Sequence, residues 1–126
     1  MPIRDFQDLV CWRLASELAA EVFAETANGP SARDFKFRDQ IRDAAASAPR
    51  NIAEGFARFS PNDFARFLRY ALGSLAETRN HLLDGVARGY FQPELAARLR
   101  NLCLAAERAT RHLLLDKQRR GEHRHI

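Results

Sequence analysis

Few residues in this chain have a type and spacing that could do chemistry. Glu77 and His81 stand four apart, which places them on one face of a helix. A carboxylate-bridged di-iron bundle needs Glu-x-x-His on two helices and a glutamate on two others. No Glu-x-x-His occurs, and neither does Cys-x-x-Cys or His-Glu-x-x-His. Cys11 and Cys103 lack a histidine at fixed spacing that would activate a thiolate, and are expected to be reduced and buried. Ser47 and Ser74 fall inside helical stretches, without the sharp strand-to-helix turn of a hydrolase nucleophile. No glycine-rich phosphate loop is present. The pattern predicts a protein that is not an enzyme, with no metal and no cofactor.

Two polar sets remain. Asn51, Glu54 and Arg58 recur at three- and four-residue steps and form one row on a helix, with Gly55 beside it. The row reads either as a ligand or partner site or as an internal network. In the network, Glu54 pairs with Arg50 or Arg58, and Asn51 bonds backbone in another helix or subunit. The second set is arginine. Of 20 basic residues only Lys36 and Lys117 are lysines, and the net charge is +4. The first thirty residues are net acidic and the rest net basic. Arginine meets phosphate through a planar fork, so Arg38, Arg42, Arg50, Arg66 and Arg69 are candidate nucleic-acid contacts. The competing reading has them solvated or joining subunits through salt bridges.

The elements that must position these residues are helices. Val10, Leu14, Leu18 and Val22 step by four in a first helix expected from about Phe6 to Ala27, with Asp5 as its cap. Glu17, Glu21 and Glu25 make an acidic row, either solvated or docked against a basic neighbour. Asn28-Gly29-Pro30-Ser31 breaks the chain. A second helix is expected from about Arg33 to Phe59, with Ile41, Ala45, Ala48, Ile52, Phe56 and Phe59 inward. Pro49 and Gly55 oppose it, the proline by roughly 3 kcal/mol or more. Ser60-Pro61-Asn62-Asp63 is a strong start signal for a third helix to about Arg88, where Gly73-Ser74 would admit a close neighbour. A fourth helix opens at Pro93 and is expected to fade near Lys117. These spans predict an all-α protein, an up-down-up-down antiparallel four-helix bundle over residues 1–116 with a frayed basic polar tail at 117–126. His123, Arg124 and His125 belong to that tail, whose alternative role is an electrostatic tether. No apolar run approaches a membrane span and no secretory stretch opens the chain, so a cytoplasmic protein is expected.

Gln40-Ile41-Arg42, Ala44-Ala45, Ser47, Pro49 and Asn51-Ile52-Ala53-Glu54-Gly55 resemble the signature of a bacterial four-helix-bundle family. That family is named after proteins encoded in 23S ribosomal RNA intervening sequences. The opening Phe6-x-Asp8-Leu9-x-x-Trp12 and the stretch from Phe64 to Glu77 resemble it as well. Asp43 stands where the family has a basic residue, and Ala48 where it has isoleucine. The resemblance implies a bundle of unestablished function that forms rings of five. It also extends to the accessory protein of diversity-generating retroelements, which implies contact with RNA, DNA or a nucleic-acid-handling protein. The leading expectation is a non-catalytic, homopentameric interaction module, with Phe59, Phe67, Tyr70 and Phe91 as assembly candidates. The alternative is a nucleic-acid-binding accessory protein with salt-dependent, sequence-nonspecific contacts. An enzyme with its site at Asn51, Glu54 and Arg58 is the least favoured.

Overall fold

The computed structural model describes residues 2–124, which contain no strand. Its helices are α1 (Val10–Glu25), the single turn α2 (Pro30–Arg33), α3 (Phe35–Phe56), α4 (Pro61–Ala87) and α5 (Pro93–Arg124). α3 packs against α1 and α4, and α5 against α4 and α1, so the four long helices enclose one core. Leu18, Ile41, Ile52, Leu68, Leu75, Leu82 and Leu99 are its largest fully buried aliphatic residues. No helix among the described residues is long and apolar enough to cross a membrane.

The N-terminal helix begins later than its periodicity suggests. Asp8 accepts from the backbone N–H groups of Arg4 and Asp5, which closes a separate 3₁₀ turn over Phe6–Asp8. Leu9 is then extended, and α1 starts at Val10. That break shifts the phase of the stripe: Leu9 is buried, while Val10, expected inward, is 62% exposed. The second helix also divides. Asp34 leaves helical geometry and caps α3 by accepting from the Phe37 N–H at 3.2 Å, so Pro30–Arg33 stands apart. α3 ends at Phe56, and Phe59, expected on its inward face, lies beyond the helix and is fully exposed.

α4 starts as its sequence predicts. Ser60 Oγ accepts from the Asp63 N–H at 3.4 Å, and Pro61 occupies the first helical position. It ends in a left-handed glycine. Gly89 has φ of 77°, and the N–H groups of Gly89 and Tyr90 return to the carbonyls of Val86 and Gly85. α5 does not fade at Lys117 but continues to Arg124. The Lys117 ammonium sits 5.2 Å from the Phe64 ring centre, and Gly121 is buried against the Asn62 side chain. These contacts tie the expected tail to the start of α4. His125 and Ile126 lie outside the described residues, as do the side chains of His123 and Arg124.

Close helix approach occurs at glycines other than the expected one. A Cβ on Gly73 would meet nothing within 4 Å. A Cβ on Gly55 would lie 2.8 Å from the Phe64 ring and 2.9 Å from Phe67, and one on Gly85 would collide with Phe91. α3 is therefore seated on α4 at Gly55, and the turn before α5 is seated on α4 at Gly85. Phe91, an assembly candidate by sequence, is buried there against Phe37.

Candidate functional site

The four motif positions have separate jobs, and Arg58, expected in one helical row with Asn51 and Glu54, lies past the end of α3 at Phe56. Gly55 is buried because two phenylalanines of α4 occupy the space a side chain would need. Asn51 turns toward its own helix: Nδ2 donates to Ser47 O at 2.8 Å and to Ser47 Oγ at 2.9 Å. Ser74 Oγ of α4 donates to Ser47 Oγ at 2.8 Å. The expected bond from Asn51 to another helix is thus made one step removed, through two serine hydroxyls. Asn51 has no backbone partner outside α3 among the described residues. Glu54 and Arg58 form an exposed ion pair at 3.2 Å, of the kind that contributes at most about 1 kcal/mol.

Arg58 also lies over the face of Phe67, with its guanidinium carbon 4.7 Å from the ring centre. Arg66 lies over the same ring at 5.0 Å. Phe67 thereby has two cations against its ring and is partly buried. Tyr70 packs edge-on to it and remains half exposed.

The five candidate arginines divide by neighbour. Arg42 Nε donates to the buried hydroxyl of Thr26 at 2.8 Å, and Nη2 donates to Phe23 O at 3.1 Å. Its guanidinium also covers the Phe23 ring. It closes the C-terminal end of α1, where carbonyls lack helical partners and positive charge is favoured. Arg38 pairs with Asp39 at 3.0 Å, reaches Ala32 O and stacks on Phe35. Arg66 reaches Asp63 at 3.5 Å. Arg50 and Arg69 are exposed, with no hydrogen-bond or ion-pair partner among the described residues.

The strongest polar contact escaped the sequence reading. Arg79 of α4 and Glu107 of α5 make a two-pronged ion pair, Nε to Oε2 and Nη2 to Oε1 at 3.0 Å. Glu107 is 5% exposed. Its hydrogen bond is the main cause that holds the Arg79 guanidinium pKa above its ordinary value. The available signal was Glu107 itself, four residues after Cys103 and three before Thr110, an acid inside the buried stripe of α5. The sequence reading followed the leucines and alanines of that helix and passed over it. In the acidic row of α1, Glu21 pairs with Arg98 of α5, while Glu17 and Glu25 are exposed.

Cys11 and Cys103 are buried free thiols. Burial pushes their pKa values up to about 11 and about 12, far from the thiolate a nucleophile requires. His81 Nε2 is buried without a hydrogen-bond partner and lies 3.8 Å from Glu77. No group of three metal-binding side chains occurs among the described residues.

Between α4 and α5 runs a groove of about 380 Å³. Leu83, Val86, Ala87 and Pro93 line its apolar end, and Arg79 and Arg100 stand at the other. Leu83 is 65% exposed. No carboxylate lines this groove.

Residues 7–111 match the model of a protein family described as 23S rRNA-intervening sequence protein. No curated protein matches the chain.

Proposed function

Since the chain belongs to the family of 23S rRNA-intervening sequence proteins, we propose that it is a self-associating helical interaction module without a catalytic site, whose copies close into a ring. Five copies is the number the family resemblance implies. The observation that carries this reading is the apolar surface left uncovered. Phe59 is fully exposed, and Phe35, Leu83 and Val10 are each more than half exposed. A single exposed apolar residue needs no explanation, whereas an exposed leucine rimming an apolar groove marks a place where another surface fits. Light scattering on the eluting protein tests the reading. The expected mass is a multiple of the 14.4 kDa chain, and a 14.4 kDa species at every concentration would overturn it.

The reading includes an up-down-up-down order for the long helices, which the contacts support. Gly55 lies against Phe64, Ser47 bonds Ser74, and Phe37 approaches Gly85, so contacts climb one helix as they descend the other. Cys103 meets Leu75 O, and Lys117 meets Phe64, in the same sense for α4 and α5. Glu21 with Arg98, and Cys11 beside Ala109, repeat it for α1 and α5.

A second reading, contact with RNA or DNA, is favoured by Arg50 and Arg69, whose guanidinium groups have no hydrogen-bond or ion-pair partner among the described residues. Anisotropy titrations of structured RNA and duplex DNA across salt concentrations test it. Binding that weakens steeply with salt, and falls in Arg50→Glu/Arg69→Glu, is expected on this reading. No binding even at low salt would remove it. Arg42 is unsuited to this test, because its substitution opens the end of α1.

A further inference from the structure

We propose that the α4–α5 groove binds a medium-chain fatty carboxylate, its chain lying on the apolar wall and its head meeting Arg79 and Arg100. The site does not depend on self-association. Phe59, Phe35 and Val10 line no part of the groove and stay available to that reading.

The groove follows from side-chain size. Arg79, Leu82, Leu83, Val86 and Ala87 share one stripe of α4, and Pro93, Ala96, Ala97 and Arg100 share one stripe of α5. Where the stripes face each other, Ala87, Ala96 and Ala97 bring only methyl groups. The result is a hollow of about 380 Å³, within the range of about 300–1,000 Å³ in which small-molecule sites fall.

Its two ends differ in charge. Cys103 Sγ of α5 reaches Leu75 O, and Phe91 lies on Gly85, so residue numbers fall along α5 as they rise along α4. By that count Arg79 stands near the level of Arg100, and Val86 near that of Pro93. Both guanidinium groups therefore share one end. Glu107 takes up Nε and Nη2 of Arg79 and fixes its plane, while Nη1 has no hydrogen-bond partner among the described residues. Arg100 is exposed and has no hydrogen-bond or ion-pair partner among the described residues. With Glu107 spent on Arg79, one positive charge is left uncompensated at that end, and no carboxylate lines the groove to offset it. A planar carboxylate suits the forked donors of arginine and supplies the missing charge.

Length selects the rest of the occupant. From Arg79 to Ala87 the wall runs about 12 Å, which the extended chain of decanoate matches. Each methylene moved from water onto Leu83, Val86 and their neighbours should tighten binding about fourfold. A docked protein is poorly served, because a specific interface buries about 1,200 Å² or more and this groove is two helical turns long. The hollow beside α1 makes the contrast. It is similar in size, about 340 Å³, but Asp8 and Asp116 line it against a single arginine, Arg119, so it offers an anionic head no surplus of positive charge.

The test is isothermal titration calorimetry of decanoate with the full chain at neutral pH, below the concentration at which micelles form. One decanoate per chain is expected, bound about tenfold more tightly than octanoate. Decylamine, with the same chain and a cationic head, should not bind. Arg100→Glu should weaken decanoate binding about tenfold or more. Arg108→Glu makes the same change at an exposed arginine of α5 outside the groove, and should alter it by no more than about twofold. Ala97→Trp fills the hollow from an exposed position and should abolish binding. Circular dichroism checks that each variant keeps its helix content. Equal losses in the two charge variants, or binding retained in Ala97→Trp, would overturn the site. Absence of binding to the wild type would overturn it as well, and a smaller assembly in Ala97→Trp would then assign the groove to a contact between copies. A monomeric wild type that binds decanoate and loses it in Arg100→Glu would uphold the site while overturning self-association.

Discussion

Arg42 and Arg50 stand two turns apart on α3, and both are arginines of the same motif stretch. Arg42 is half buried, gives two hydrogen bonds to the end of α1 and covers a phenylalanine ring. Arg50 is exposed and has no hydrogen-bond or ion-pair partner among the described residues. The difference comes from what faces them. α1 ends opposite Arg42 with the Phe23 carbonyl and the Thr26 hydroxyl turned toward it, whereas solvent lies beyond Arg50. A cation opposite a helix C-terminus becomes part of the fold, and the same cation two turns away is left available for something outside the chain. Arg79 extends the comparison to the interior, where its partner is a carboxylate that has almost no access to water.

The contrast is broken most severely at Arg79. Arg79→Ala leaves Glu107 buried and unpaired, and should cost about 3 kcal/mol or more in chemical denaturation. Glycines offer a contrast of sign. Gly85→Ala pushes a methyl group into Phe91 and should destabilise by about 1–3 kcal/mol, while Gly73→Ala fills open space within a helix and should stabilise by about 0.5–1 kcal/mol. Equal effects at the two glycines would contradict the packing described for α4. Arg42→Ala removes two hydrogen bonds that the guanidinium donates, one of them to a buried hydroxyl oxygen, and should cost about 1–2 kcal/mol. Arg50→Ala should stay within about 0.5 kcal/mol. Thermal melts of that pair measure the comparison directly.

The smallest effect is tied to pH. The Asp34 carboxyl is held below its ordinary 3.8, chiefly by the Tyr90 hydroxyl, then by the Phe37 N–H, and also by Arg88. A depressed carboxylate contributes stability that is complete above the unfolded value and is lost as pH falls through the lower folded value. Melting temperature measured downward from about pH 5 should therefore fall less in Asp34→Asn than in the wild type. Tyr90→Phe, which removes the first of these causes, should lie between the two.

Much of the fold could be read from the chain. Ser60-Pro61 and Gly89 marked the ends of α4 because caps are local chemistry, made by residues within a few positions of each other. The leucine and isoleucine stripes marked the core for the same reason. Two misses were local, the Asp8 turn before α1 and the Asp34 cap that divides the second helix, and the others were decided by distant residues. Phe91 looked available for assembly until Gly85 and Phe37 are brought to it from other parts of the chain. The helix beyond Lys117 depends on Phe64 and Asn62, more than fifty positions away. Arg42 and Arg50 look alike in sequence because the end of α1 that separates them enters only through tertiary packing. For the polar row, three- and four-residue spacing placed Asn51, Glu54 and Arg58 together. It could not show that Asn51 would turn to Ser47 while Glu54 and Arg58 paired in solvent.

The central claim is that this bundle functions as one copy among several, and native mass spectrometry of the untagged protein tests it most directly. The account predicts a dominant assembly of whole 14.4 kDa chains, five in number, that survives dilution. A monomer that persists on concentration would contradict it.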